Sequence, residues 1–161
     1  MKRKFNFTLA AIMCCMLGTM AQSNNDLIVN AGAVENIKIA SDMNVVLLPA
    51  GEKAGLITMD AQAFEKVDMQ LAGNTMTVSN RSDQKKSAQT VYLYVGKLKT
   101  LTVENNCVVR TVGVLDAPKL DVFVDAHSRV HVKTNGSVKA HSLTGNEINV
   151  HWLSENLVAK K

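Results

Sequence analysis

The feature that most constrains this chain is a succession of short β-type runs, many of which alternate apolar and polar residues. Val67–Leu71 and Leu120–Val124 are examples. A period of two places one set of side chains on one face of a strand and the other set on the opposite face. Turn-forming pairs such as Gly73-Asn74 and Asn135-Gly136 separate the runs. The pattern therefore predicts an all-β chain.

The runs follow one another at short intervals through most of the chain. They are Ile37–Ile39, Val45–Leu48, Leu56–Met59, Val67–Leu71, Met76–Val78, Val91–Val95, Leu98–Val103, Val108–Val112, Leu120–Val124, Val130–Val132, Ile148–Trp152 and Leu157–Ala159. Only Asp60–Lys66 has the composition of a helical turn or a connecting loop. Residues 82–88 are the most polar stretch, which we interpret as an exposed loop between two halves.

The second half carries a repeat. Leu101–Val103, Leu120–Val122, Val138–Ala140 and Leu157–Ala159 recur at steps of 19, 18 and 19 residues, and Val130–Val132 and Ile148–Val150 lie 18 apart. A repeat of this length suits a β-solenoid, in which one layer cannot bury its apolar face alone and stacks on the next. A β-sandwich with evenly spaced strands is the alternative.

The N-terminus has the pattern of a secretory signal. Lys2, Arg3 and Lys4 precede a mostly apolar stretch from Phe5 to Met16, which is shorter than the roughly 20 residues of a membrane span. Small residues at 19 and 21 predict cleavage after Ala21, giving a signal peptide over 1–21. Residues 22–33 then form an N-terminal tail or a loosely attached strand, and a single domain covers 34–159. An uncleaved anchor and a lipoprotein signal are the alternatives.

Export changes what composition implies. The signal holds three of the 18 basic residues, so the mature chain carries 15 basic against 14 acidic residues. Such a near-neutral chain offers no electrostatic argument for nucleic acid or an anionic membrane. The signal also holds two of the three cysteines. Cys107 remains in an apolar run, where we expect a buried and inert thiol.

The order of these elements resembles a known family. Val34–Ile39, Met43–Gly51, Val67–Leu71, Gly73–Val78 and Val91–Leu101 look like the opening of the auto-transporter adhesin head GIN domain, and the repeats to Trp152 are similar to its second half. The resemblance spans residues 34–152. It implies a right-handed, single-stranded β-helix exported by Gram-negative bacteria of the Bacteroidetes type, with no catalytic residues to carry over. The turns here lack the family's usual Ser-Gly-Ser composition.

No pattern nominates a metal or cofactor site. His127 and His131 lie about 13 Å apart on a strand that rises 3.3 Å per residue, too far for one zinc ion. An 18-residue register pairs His131 with Asn149 rather than His151. We therefore interpret the histidines, His141 included, as exposed polar positions.

Carboxylates are the basis of the enzyme hypothesis. Asp116, Asp121, Asp125 and Glu147 are the acids that one outer sheet of a solenoid could gather. A glycosidase needs two carboxyl groups within roughly 5–10 Å of each other. No signature indicates such a pair, and neither a phosphate loop nor a nucleophile elbow is present. We expect no catalytic residues.

Aromatic residues are the candidate ligand-facing positions. Tyr92 and Tyr94 are two apart and share a strand face, and Trp152 is the only tryptophan. Exposed rings stack on sugars or anchor partners, whereas core or cross-strand packing is the alternative.

The sequence thus predicts an exported surface-presenting module of the envelope, in the periplasm, on the outer surface or secreted. Glycans or surface proteins are the expected partners, and the open ends of a solenoid permit self-association. An envelope accessory or stress-signalling partner and a carbohydrate-active enzyme are the alternative functions.

Overall fold

The computed structural model describes residues 27–28, 34–51, 56–58, 66–81 and 89–154. Outside these ranges lie the predicted signal peptide, residues 60–65 of the candidate helical turn Asp60–Lys66, the polar loop at 82–88 and the run at 157–159. Two residues of the predicted tail, Leu27–Ile28, form a strand. None of the described segments forms a helix with the length and apolar character that a transmembrane span requires.

The described chain is all-β, as predicted, and forms one domain with two sheets. Its strands are β1 Leu27–Ile28, β2 Asn36–Ala40, β3 Met43–Pro49, β4 Leu56–Thr58, β5 Val67–Ala72, β6 Thr75–Asn80, β7 Gln89–Val95, β8 Thr100–Glu104, β9 Val108–Thr111, β10 Lys119–Val124, β11 Arg129–Thr134, β12 Ser137–Ser142 and β13 Asn149–Ser154. Sheet A has the order β1-β4-β7-β3-β9-β11-β13, and sheet B the order β12-β10-β8-β2-β6-β5.

Five pairs of consecutive strands cross from one sheet to the other. The pairs β6/β7, β2/β3, β8/β9, β10/β11 and β12/β13 each place their first strand in sheet B and their second in sheet A. Neighbouring pairs are joined by parallel ladders in both sheets. The short strands β1 and β4 and the hairpin strand β5 add antiparallel pairings beside β7 and β6. The finer choice between a solenoid and a sandwich stays a prediction.

The predicted repeat is right in one step and wrong in two. Leu120 pairs with Val138, which is the predicted step of 18. However, Leu101 pairs with Val122 rather than with Leu120. In the same way Val130 pairs with Val150, 20 residues on, instead of with Ile148. Both errors are shifts of two residues, which leave the same side chains on the buried face, so alternation alone does not distinguish them.

The core lies between the sheets and takes every second residue of the central strands. Leu101 and Val103 from β8 and Val122 and Val124 from β10 are fully buried, as is Val109 from β9. Each such side chain contributes about 1.5–3 kcal/mol when it leaves water. The alternation that predicted the strands therefore also orients them, because the polar residues between these positions face outwards.

The predicted turns are where the backbone bends between the sheets. Asn105 and Asn106 both have positive φ, at 61° and 63°. Asparagine tolerates this left-handed conformation better than most residues. Cys107 follows directly and is fully buried, which confirms the expected burial of the thiol. Its Sγ lies 3.0 Å from the Glu104 carbonyl oxygen and 3.2 Å from that of Ser41.

Candidate binding surface

The outer face of sheet A is built from the residues that alternate with the core positions of β7, β3, β9, β11 and β13. The register aligns them in rows that cross the strands at about 4.8 Å spacing. One row runs Tyr92, Val46, Arg110, His131 and His151. Because these strands run parallel and neighbour one another in the sheet, residues that are far apart in the sequence lie side by side here.

Basic residues cluster on this face. Arg110, Arg129, His131 and His151 are exposed and Lys133 is half-buried. We call these five residues the cationic face. None of the seven strands of sheet A contains Asp or Glu. Within the part of the chain that the structure describes, no carboxylate lies within ion-pair distance of Arg110 or Arg129.

The outer face of sheet B differs because its charges are mixed and largely paired. Lys38 Nζ lies 3.0 Å from Glu104 Oε1. Asp121 Oδ1 lies 3.3 Å from His141 Nε2, and the His141 ring stacks on Phe123 with 4.7 Å between centroids. These contacts pair charged groups within the protein. The outer face of sheet B therefore offers a ligand less unpaired charge than the cationic face does.

A recess lies at the Tyr92 side of the cationic face. It has a volume of about 210 Å³. Its lining combines the polar groups of Asn44, Thr90 and Arg110 with the apolar residues Val45, Val46 and Val108. Val46 faces outwards but is only 2% exposed, and it lies in register between Tyr92 and Arg110. The recess therefore has an apolar floor beside a guanidinium group.

A larger cleft of about 750 Å³ lies where the chain passes from β7 to β8. Lys97, Lys99, Lys119, Asp116 and Asp121 contribute its charged lining. Several of these groups already have protein partners. Lys99 Nζ lies 2.8 Å from a Glu35 carboxylate oxygen, and the Asn135 side chain donates to Asp116. Because three of its five charged groups, Lys99, Asp116 and Asp121, have protein partners, we consider the smaller recess the better ligand site.

The three aromatic candidates do not form one site. Tyr92 and Tyr94 lie on the outer face of sheet A, alternating with buried Val91, Leu93 and Val95, and Tyr92 is 39% exposed. Trp152 pairs with Val132, so it lies on the opposite, core-side face of sheet A. It is 45% exposed because β13 is the last described strand of its sheet.

The four carboxylates of the enzyme hypothesis do not gather at one place, although two of them share a cleft. Asp116 and Asp121 line the larger cleft, whereas Glu147 is an exposed turn residue. Asp125 accepts hydrogen bonds from the backbone N–H groups of Asn105, His127 and Ser128. Burial raises the pKa of Asp125, but the hydrogen bonds from Ser128, Asn105 and His127 outweigh it and hold that pKa below the usual value. Asp125 thus closes a turn, and a general acid would need a raised pKa instead.

The histidine prediction was wrong in one respect. His131 pairs with His151, not with Asn149, and the two ring centroids are 5.6 Å apart. Both rings are nevertheless exposed, as expected for polar positions. Within the described ranges no three residues among His, Cys, Asp and Glu are placed to hold a metal ion.

The sequence analysis missed the cationic face. The totals of 18 basic and 14 acidic residues hide the fact that acids and bases are distributed unequally between two sheets. Assigning alternate strands of the second half to different sheets would have revealed that β9, β11 and β13 contain basic but no acidic residues. The signal was therefore present, but it depends on strand assignment and not on composition.

The comparisons with known proteins add no relative. The chain matches no protein-family model, no curated protein and no solved structure. The resemblance to the head GIN domain family stays a prediction made from the order and spacing of the strands.

Proposed function

We propose that this protein is an exported, non-catalytic binding module of the bacterial envelope that presents the outer face of sheet A to an extended ligand. The observation that carries the proposal is the cationic face, whose strands lack any acidic residue. A sheet face of parallel strands offers the same spacing across several rows, which suits a ligand that is itself extended.

The lining of the recess supports binding more than catalysis. Arg110 and the amide of Asn44 can hold polar groups of a ligand, and Val108, which is 38% exposed, offers apolar contact. A catalytic acid or base would need a titratable group at this place, and the described lining of the recess contains only the guanidinium of Arg110. Arginine stays protonated at any physiological pH and transfers no proton.

The test is an array of glycans and bacterial envelope proteins probed with the purified protein. We expect saturable binding that weakens when Arg110 and Arg129 are both replaced by Gln. A matched control replaces Lys38 and Lys139 by Gln, which removes the same charge from sheet B. Absence of saturable binding, or equal losses in both double variants, would contradict the proposal. Export is tested separately, by N-terminal sequencing of the protein from the periplasmic and extracellular fractions.

A further inference from the structure

The recess on sheet A has the composition of a site for one unit of a polymer. Pockets that enclose a drug-sized ligand measure roughly 300–1,000 Å³, and this recess measures about 210 Å³. Beyond the recess, His131 and His151 continue the row of Arg110 across the next two strands. A ligand that fills it can therefore extend across the neighbouring strands.

The chemistry of the lining indicates what that unit carries. Asn44 and Thr90 are directly paired across β3 and β7, and both present side chains that donate and accept hydrogen bonds. Val108 exposes 38% of its surface in the same recess and supplies an apolar surface beside Arg110. Hydroxyl groups, an apolar ring face and an anionic group together complement this lining. An acidic monosaccharide unit carries all three.

The rest of the cationic face extends this complementarity. Arg129 pairs with Val108 of the recess on one side and with Asn149 on the other. His131 lies two residues further along β11, beside Arg110. The guanidinium groups of Arg110 and Arg129 thus lie in two adjacent rows of neighbouring strands, and the two histidines continue the Arg110 row at the strand spacing of about 4.8 Å. A polymer with a negative charge on successive units would meet them one after another.

We infer that the recess and the cationic face bind an acidic, carboxylate-bearing glycan, with one carboxylate at Arg110 and further units over Arg129, His131 and His151. This inference rests on the proposed function, since it names the ligand of the same surface. The guanidinium group is well suited to it, because its N–H groups match the two oxygens of a carboxylate.

Nucleic acid and anionic membranes are less well complemented. Their binding depends mainly on many lysine and arginine contacts to phosphates or headgroups. The described face holds two arginines and one lysine, and the mature chain is nearly neutral. The polar and apolar lining of the recess would have no role against a phosphate backbone. We therefore make both alternatives arms of the test.

The experiment measures binding by isothermal titration calorimetry in about 0.15 M salt, where the Debye length is about 8 Å. The probes are polygalacturonate and the same polymer after its carboxyl groups have been reduced to alcohols. The variants are Arg110→Gln and Asn44→Ala, and Lys139→Gln on sheet B is the charge-matched control. Thermal unfolding of each variant verifies that it is folded. A thymidine oligonucleotide and phosphatidylserine vesicles are the remaining arms.

We expect polygalacturonate to bind about tenfold or more tightly than the reduced polymer, since a hydrogen bond to a charged group is lost. Arg110→Gln should abolish this preference, Asn44→Ala should weaken both polymers, and Lys139→Gln should change neither.

Two results would overturn the inference and leave the proposed function standing. In one, the two polymers bind the wild type with equal affinity and lose equal affinity for the Arg110→Gln variant. The other is tighter, Arg110-dependent binding of the oligonucleotide or the vesicles. Failure of every probe here, together with an array that shows no saturable binding, would contradict the proposed function itself.

Discussion

The ring of His151 lies 5.6 Å from the ring of His131, centroid to centroid, with a tilt of 35° between their planes. The two residues are directly paired on the parallel strands β13 and β11, and Arg110 is paired with His131 from the other side. Three nitrogen-rich side chains therefore stand in one row without a carboxylate in any strand of the sheet. Each of the three side chains can donate a hydrogen bond, so an anionic ligand can contact all three from one row.

Removing the two imidazoles should therefore weaken the binding of a carboxylated ligand. In a double variant, His131→Ala with His151→Ala, the affinity for polygalacturonate should fall by about tenfold, because hydrogen-bond donors to the ligand are lost. The measurement is calorimetric titration of the wild type and the double variant under one set of conditions.

His141→Ala is the control for this prediction. That histidine lies on sheet B, beside Asp121 and Phe123. Its replacement should leave the affinity for polygalacturonate unchanged. A double variant that binds as tightly as the wild type would show that the ligand does not contact the histidine row.

The same histidine pair shows what could be predicted from the sequence. Alternation identified both residues as outward-facing, because Val130 and Val150 on the buried face indicate the orientation of their strands. It did not identify them as partners, because a register shifted by two residues buries the same set of side chains. The register is decided by the length of the turn between β12 and β13, which the apolar pattern does not encode.

The order of the first strand pairs in the sheets could not be predicted from the sequence either. Ile37 of β2 pairs with Met76 on one side and with Leu101 on the other. The pair β2/β3 therefore lies between two pairs that follow it in the chain. A repeat search aligns segments in chain order, and β-propensity is satisfied equally by either neighbour, so nothing local favours this arrangement. The recess depends on this arrangement, since β3 contributes Asn44 and Val46 to its lining.

Removing the Asp125 carboxylate should destabilise the fold rather than abolish a catalytic activity. Asp125→Ala leaves the backbone N–H groups of Asn105, His127 and Ser128 without their acceptor. A buried donor left unpaired costs about 1–3 kcal/mol, and a partly exposed one costs less. We expect the free energy of unfolding, measured in urea, to fall by about 2 kcal/mol. Glu147→Ala, which removes an exposed turn carboxylate, should change it little.

The pH dependence of this difference gives a second check. The pKa of Asp125 is lowered in the folded protein, so its charged form stabilises the fold at pH values above its usual pKa of 3.8. This contribution is lost as the pH falls through the pKa of Asp125 in the folded state. The gap between the wild type and Asp125→Asn should therefore be full at pH 6 and shrink in strong acid. A gap that stays constant with pH would mean that the carboxylate's charge does not contribute.

Cys107 should be unreactive in the folded protein. Its side chain is fully buried, and burial raises the pKa of the thiol from 9.0 to about 11. The thiolate is the reactive form, so labelling by iodoacetamide at pH 8 should proceed only through unfolding and become fast in urea. Fast labelling of the native protein would contradict the buried position.

The raised pKa of Cys107 also predicts alkaline sensitivity. Between pH 9 and about 11 the unfolded chain loses the thiol proton and the folded chain keeps it. The unfolded state therefore binds fewer protons, and the free energy of unfolding falls as the pH rises through this window. Cys107→Ala should show a smaller fall, measured by urea titration at pH 8, 9 and 10. Parallel pH profiles for the two proteins would assign the alkaline sensitivity to other groups.

Gly136 is the position at which a single methyl group should be least tolerated. A Cβ atom built there would lie 2.1 Å from the Pro118 carbonyl oxygen, and the backbone N–H of Ser137 already donates to that oxygen. The clash is with backbone, so it cannot be relieved by a change of rotamer. Overpacking of this kind costs about 1–3 kcal/mol and sometimes more. We expect the free energy of unfolding of Gly136→Ala to fall by about 3 kcal/mol.

Gly73→Ala is the matched comparison, because it separates steric overlap from backbone conformation. Gly73 has a φ of +58° and no atom within 4 Å of a built Cβ, so its substitution costs only the left-handed conformation, about 1–2 kcal/mol. Gly136→Ala should be the more destabilising of the two in urea titrations. Gly136→Ala should lower the free energy of ligand binding less than it lowers the free energy of unfolding. The reason is that Gly136 directly precedes β12 of sheet B, away from the cationic face. Equal destabilisation by the two substitutions would mean that β12 can move away from Pro118 at little cost.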